Sequence, residues 1–173
     1  KALILGAGLV TKPIVDYLLS RENVLVTVAS RTVSKAEKLV NKHPRGTAIP
    51  LNVENDLELD RLVSEHDVTI SLVPYAYHVK VAKLCIKYKK DMVTTSYISP
   101  EMRTLDGEAR EAGILILNGL GLDPGIDHMS AMKIIHDVED RGGKIISFKS
   151  YCGALPAPEA NTNPWGYKFT WSP

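Results

Sequence analysis

Neither sign of charge dominates this sequence. Lysine and arginine number 21 against 20 aspartates and glutamates, a formal net charge of +1. That balance leaves no electrostatic footprint for nucleic acid or for an anionic membrane surface, so neither is expected as a partner. Cysteine is scarce as well: Cys85 lies inside an apolar helical pattern and Cys152 follows a strand pattern. The two make no metal-ligand spacing and no disulfide framework, so no metal is expected and a reducing, cytoplasmic setting is the simpler expectation. Long apolar runs are missing too. The longest, from Gly113 to Leu122, is interrupted by Asn118 and falls well short of the ~18 residues a membrane helix needs. No solenoid repeat and no low-complexity tract occurs.

What remains is ordinary globular composition over 173 residues, 45% hydrophobic and 24% charged, enough for one sizeable core and part of a second. The chain starts at Lys1 directly on a strand pattern and stops at KFTWSP in what reads as another strand. A piece of a longer protein is therefore expected, and the lack of a targeting signal carries no weight.

The apolar pattern alternates in type along the chain. KALIL is a short strand, GAGLVTKP a glycine-rich turn, and Val10, Ile14 and Leu18 follow at helical spacing. Strand patterns recur at Val24 to Ala29, Ala48 to Val53, Val68 to Val73, Met92 to Thr95 and Ile114 to Leu117, with helical patterns between them. A single polar helix is expected from Pro100 to near Gly113. Continuous Val, Ile and Leu suits strands covered by helices on both faces, which predicts an α/β fold built on a doubly wound parallel sheet. Beyond Gly121 the rhythm changes to a helix over about Asp127 to Asp140, a strand pattern KIISFKSYC, and a tail rich in proline and asparagine. Two domains are expected: a Rossmann-like dinucleotide-binding domain over 1–123 and the start of a truncated α+β substrate domain over 124–173.

In GAGLVT, Gly6, Gly8 and Thr11 nearly match G-x-G-x-x-G/A. The first glycine makes the turn, the second lets a pyrophosphate approach the backbone, and the helix N-terminus faces the anion. Thr11 departs from the pattern, where a small residue usually allows close helix–strand packing. At the end of the second strand stand Ser30, Arg31 and Thr32, with no carboxylate. A carboxylate there holds a free ribose 2′-hydroxyl, whereas a 2′-phosphate needs a guanidinium and hydroxyl donors, so NADP(H) is the expected cofactor. The competing view makes Arg31 a solvated charge and Ser30 and Thr32 turn or cap residues. Ligands gather outside the carboxyl ends of such strands, which nominates Val73, Pro74, Thr95, Ser96, Tyr97 and the loop NGLGLDPGID by position.

The stretches SLVPYAYH, VTTSYISPEM, GLGLDPGIDH and SYCGALPAPEANTNPWGYKF are together similar to the saccharopine dehydrogenases of the glutamate-forming, lysine-pathway type, over essentially all 173 residues. The SRT element resembles the NADP-using form of lysine-synthesising fungi. The resemblance implies an oxidoreductase that joins 2-aminoadipate 6-semialdehyde to L-glutamate and reduces the imine with NADPH to saccharopine, reversibly and usually as a homodimer. It implies cofactor contacts along Gly6, Ala7, Gly8, Leu9 and Val10, at Ser30, Arg31 and Thr32, at Asn52 and Val53, at Val73, at Thr95 and Ser96, at Leu122, Asp123 and Pro124, and at Ser172. It places saccharopine against Ser96, Tyr97 and Asp123. Two departures stand out: Asn52 replaces a common Asp, and Gly119–Leu120 replace a common Glu–Ile. The family's substrate-binding arginine and further carboxylate anchors lie beyond Pro173, so this chain alone is expected to hold saccharopine poorly.

Reductive amination needs a hydride donor, a proton relay to shed water and groups for the substrate carboxylates, with no covalent nucleophile. Tyr97 can relay a proton, and Asp123 can hold an ammonium or act as a general base; otherwise Tyr97 caps a sheet edge and Asp123 opens the DPG turn. Cys152 is a third catalytic candidate, by thiolate attack on an aldehyde; a buried small residue or a crevice wall is the plainer alternative. His78, His128, Lys133 and Lys168 are expected to be structural or solvated. Two other functions compete, a non-catalytic NADP-binding module and another NADP-dependent semialdehyde dehydrogenase.

Overall fold

The computed structural model describes residues 1–169. Contacts divide the chain into two compact units, Lys1–Ile126 and Asp127–Pro173. The first holds six parallel strands: β1 (Ala2–Leu5), β2 (Val26–Ser30), β3 (Gly46–Pro50), β4 (Val68–Ser71), β5 (Asp91–Thr94) and β6 (Ile116–Leu117). Their order is β3-β2-β1-β4-β5-β6, the doubly wound arrangement in which the chain reverses direction of travel between β1 and β4.

Side chains alternate across a strand, and β1 shows why both faces of the sheet must be covered. Leu3 and Leu5 point into one apolar cluster and Ala2 and Ile4 into the other, all at 2% exposure or less. The Ile4 face is sealed by α1 (Thr11–Leu19) through Val15 and Leu19 and by α2 (Val33–Val40) through Ala36 and Val40. The Leu3 face takes Leu59, Leu62 and Val63 from α3 (Asp56–Glu65) and Val81, Ala82 and Cys85 from α4 (His78–Tyr88). Burial pushes the Cys85 thiol up to about 11, which leaves it an inert core group.

The helix expected from Pro100 onward is two: α5 (Pro100–Thr104) and α6 (Asp106–Ala112). Leu105 sits between them at φ −83°, ψ −2°, off ideal helix geometry, and buries its side chain in the core. In the second unit α7 (Ile126–Asp140) matches the expected helix. The strand expected over KIISFKSYC does not form among the described residues. No strand among that unit's described residues offers it a ladder, and Ile146 and Tyr151 stand 97% and 89% exposed.

The packing of α3 carries a pH dependence. His66, buried past the end of α3, donates from Nδ1 to the Leu62 carbonyl at 2.6 Å, so its Nε2 is left to accept from the Thr27 hydroxyl at 2.7 Å. Burial holds this imidazole below its ordinary value of 6.5, the Leu62 bond acting in the opposite direction. Above 6.5 the ring is neutral in folded and unfolded chains alike. Below it, the unfolded chain takes up a proton that the folded chain resists, so stability falls with pH until the folded group titrates. Urea unfolding at about pH 7.5 and about pH 5.5 should show this loss, and His66→Gln should make it smaller.

Candidate functional site

At the carboxyl edge of the sheet, hydrogen bonds from Gly6 N–H to the Ala29 carbonyl and from Leu72 N–H to the Leu5 carbonyl, both 2.8 Å, wedge the first turn between β2 and β4. Gly6 has φ +111°, and a Cβ there would lie 2.7 Å from the Leu72 carbonyl oxygen. Gly8 is the opposite case: a Cβ on it would meet nothing within 4 Å. Leu9, next to it, is fully exposed, so open space lies over the turn. Thr11 closes the turn from beneath. Fully buried, it accepts from Gly8 N–H at 3.0 Å and donates its hydroxyl to the Gly6 carbonyl at 3.3 Å. The departure from the glycine pattern therefore has a use, since its hydroxyl ties the two glycines together while its small size still allows α1 to pack. No side chain caps the first turn of α1, which begins at Thr11, just past this turn. A pyrophosphate fits this end by shape and dipole.

At the end of β2, Ser30 Oγ accepts from Thr32 N–H at 3.3 Å. Thr32 takes the N-cap position of α2 without a side-chain cap bond, so its hydroxyl is not spent on the helix. Arg31 is exposed beside them. Its charge reaches a cluster joining the loop after β3 to Tyr77, of which the sequence had pointed to Asn52 but not to Glu54 or Tyr77. There Tyr77 donates its hydroxyl to Glu54 at 2.7 Å, and Asn52 Nδ2 donates to the same carboxylate at 3.5 Å. The Tyr77 bond first, then the Asn52 bond, then the Arg31 charge hold the Glu54 carboxyl below its usual range. Asn52 also accepts from Glu54 N–H at 3.2 Å, closing the turn after β3. Val53 is buried in the core and offers only backbone; its carbonyl accepts from Lys80 Nζ at 2.7 Å.

Register aligns the next strand ends: Leu5 pairs with Ser71, and Ser71 with Thr94. Thr95, Ser96 and Tyr97 follow β5, and half-buried Val73 follows β4. The loop after β6 folds back onto them, Gly119 N–H donating to the Ser96 carbonyl at 2.9 Å and Leu120 N–H to the Thr94 carbonyl at 3.1 Å. Gly121 and Gly125 then bridge, bracketing a turn in which Leu122 and Asp123 are exposed, Pro124 is half-buried and the Asp123–Pro124 bond is cis. Tyr97 donates its hydroxyl to Asp123 Oδ1 at 3.2 Å. Two candidates 26 residues apart in the chain are thus in contact at the site.

His78 was expected to be an ordinary structural group; it is a buried junction at the start of α4. Nδ1 is 2.9 Å from Ser71 Oγ, and Nε2 is 2.8 Å from Ser96 Oγ and 3.3 Å from Thr94 Oγ1. A cavity of about 360 Å³ borders it, lined also by Tyr75, Tyr97, Ser99 and Glu101. A larger hollow of about 600 Å³ between α3 and α4, lined by Asp56, Asp60, Lys80, Lys83 and Lys87, contains none of the expected site residues.

Cys152 belongs to the second unit and is exposed, not the buried small residue that was one alternative for it. In that unit His128 pairs with Asp127 at 2.8 Å, and Lys168 donates to the Thr162 hydroxyl at 2.9 Å. Ser172 lies outside the described residues. Among the described residues no group of His, Cys, Asp and Glu is arranged to hold a metal ion, and no helix is long and apolar enough to cross a membrane.

A parallel sheet in this order, with a glycine turn, an uncapped helix end and candidate groups from five strand ends along one edge, defines a Rossmann-type dinucleotide-binding domain. Comparison with known proteins gives the family. Residues 2–117 match the saccharopine dehydrogenase NADP binding domain, and 121–173 match the saccharopine dehydrogenase C-terminal domain. The chain belongs to the saccharopine dehydrogenase family and carries its NADP-binding domain. It is 52% identical over 98% of its length to a saccharopine dehydrogenase [NADP(+), L-glutamate-forming] of Schizosaccharomyces pombe. It is 44% identical over its whole length to a mitochondrial alpha-aminoadipic semialdehyde synthase of Rattus norvegicus. The structure of apo saccharopine dehydrogenase (L-Glu forming) from Saccharomyces cerevisiae superposes with a TM-score of 0.81 at 49% identity, covering 99% of this chain and 38% of that one. The chain spans 38% of the fission-yeast relative and 19% of the rat one.

Proposed function

We propose that the protein to which this chain belongs is an NADPH-dependent oxidoreductase that forms saccharopine from 2-aminoadipate 6-semialdehyde and L-glutamate, reversibly, in lysine biosynthesis. The observation that carries this reading is the 52% identity, sustained over 98% of the chain, to a relative named for that reaction. The geometry supports it, because the expected cofactor and substrate residues of the first unit lie along one edge of one sheet.

In this reading the Gly6–Val10 turn and the start of α1 hold the pyrophosphate, Arg31 with the Ser30 and Thr32 hydroxyls holds the 2′-phosphate, and the Asn52–Val53 turn borders the adenine. Val73, Thr95, Ser96 and Leu122 to Pro124 line the nicotinamide half, and Ser172 belongs to the same proposed set. Bound NADPH supplies the hydride that reduces the carbon–nitrogen double bond. The amine adds to the aldehyde carbon, water leaves, and the protein's part is to place the two reactants and move protons. Tyr97 and Asp123, already hydrogen-bonded to each other, are the groups suited to that transfer, with Ser96 fixing the ligand beside them. A homodimer working in the cytoplasm completes the proposal, supported by the family resemblance and the sparse cysteines.

The test is the full-length protein given NADPH, L-glutamate and aminoadipate semialdehyde. NADPH oxidation with saccharopine as the product is expected; tight NADPH binding with no turnover would leave only a cofactor-binding module. Cys152→Ser in the same protein should retain turnover within a few-fold, because attack by an amine, not by a thiolate, builds the new bond. Loss of all turnover, together with an acyl-enzyme burst in the unmodified protein, would make covalent catalysis the mechanism instead.

A further inference from the structure

Nothing in the reaction chemistry above uses His78, yet its imidazole is one of the most completely hydrogen-bonded side chains at the site. It is 3% exposed and is bounded by Ser71 and Thr94, which are fully buried, and by half-buried Ser96. Resting on the reading of Ser96 as a ligand-facing hydroxyl, we propose that His78 is a positioning residue that fixes the orientation of the Ser96 hydroxyl, through a continuous Ser71–His78–Ser96 chain of hydrogen bonds.

A serine hydroxyl on a loop turns freely about two bonds, so it presents a given proton or lone pair to a ligand only part of the time. The 2.8 Å bond from Ser96 Oγ to Nε2 removes that freedom, and the 2.9 Å bond from Nδ1 to Ser71 anchors the ring behind it. Thr94 Oγ1 lies 3.3 Å from Nε2 and accepts from Ser96 N–H at 3.3 Å, so backbone and side chain of Ser96 are held from the same side. Burial favours the neutral ring, which donates from one nitrogen and accepts at the other. Whichever nitrogen carries the proton, the sense of the Ser71 bond dictates the sense of the Ser96 bond. The ring also stands at the N-terminus of α4, where the helix dipole disfavours a positive charge. Purely structural bridging between β4 and β5 has no need of a group that links one polar partner inside the core to another on the ligand side.

Substitutions separate positioning from packing. Glutamine places its amide near the position of Nε2, asparagine near that of Nδ1, and both remove the ring. In the full-length protein, His78→Asn is expected to lower kcat/KM for saccharopine about tenfold or more, while His78→Gln restores most of the loss. In a Ser96→Ala background, His78→Asn should add little further. The NADPH dissociation constant, read by fluorescence without substrate, and the melting temperature are followed in the same set. Equal melting losses for Asn and Gln with unchanged kcat/KM would overturn the assignment, as would a His78→Asn loss that adds in full to that of Ser96→Ala. Should the unmodified protein bind NADPH and turn over nothing, the proposed function fails while the cycle is still read on NADPH binding, where additivity would overturn the role of His78 by itself.

Discussion

Replacing Arg31 with aspartate should lower the affinity of the full-length protein for NADPH by roughly a hundredfold and change that for NADH by less than about threefold. A guanidinium bound to a phosphate by charge-assisted hydrogen bonds is worth about 3 kcal/mol, and tenfold in affinity corresponds to about 1.4 kcal/mol. The new carboxylate repels the same dianion and suits a free ribose 2′-hydroxyl, so selectivity should move toward NADH. The surroundings favour this outcome. Arg31 is exposed at the end of β2, and Glu54, a carboxylate whose titration feels its charge, is already hydrogen-bonded to Tyr77 and Asn52. Among the described residues the guanidinium is in no salt bridge. Calorimetric titration with each cofactor checks the prediction, and equal losses for both would mean that Arg31 does not read the phosphate.

The two glycines of the first turn should fail in different ways. Gly6→Ala is expected to cost about 3 kcal/mol of stability or more, because its Cβ would lie 2.7 Å from the Leu72 carbonyl oxygen on a backbone at φ +111°. The carbonyl belongs to the chain leaving β4 and cannot step aside without disturbing the hydrogen bond from Leu72 N–H to Leu5. Gly8→Ala meets no protein atom within 4 Å and should leave the melting temperature nearly unchanged, while weakening NADPH by obstructing the approach of its pyrophosphate. Melting curves and cofactor titration on the pair separate the glycine the fold needs from the glycine the ligand needs. A Gly8→Ala protein with full affinity would show that the cofactor does not cross this turn.

Much of the first unit was legible from residue pattern because its rule is local. Continuous apolar strands such as Leu3–Leu5 can be satisfied only between two helical layers, and the alternation of strand and helix dictates the parallel order. Strand limits were less legible: β3 was expected over Ala48 to Val53 and runs Gly46–Pro50, since its register against Val26–Ser30 is decided by pairing. The strand expected over KIISFKSYC failed for a related reason, since apolar alternation marks a strand only where another strand meets it. At the site, glycine turns and the SRT segment are contiguous in the chain and can be recognised there. His78 is seven residues from Ser71 and 18 from Ser96, and only the β4–β5 register brings the three together. Glu54 and Tyr77 likewise meet across 23 residues, with no spacing signal to announce them.

The most direct measurement is a crystal structure of the full-length protein with NADP⁺ bound. The 2′-phosphate is expected within hydrogen-bonding distance of the Arg31 guanidinium and the Ser30 or Thr32 hydroxyl, with the pyrophosphate over Gly8. An Arg31 side chain directed into solvent, with the 2′-phosphate held by other residues, would contradict it.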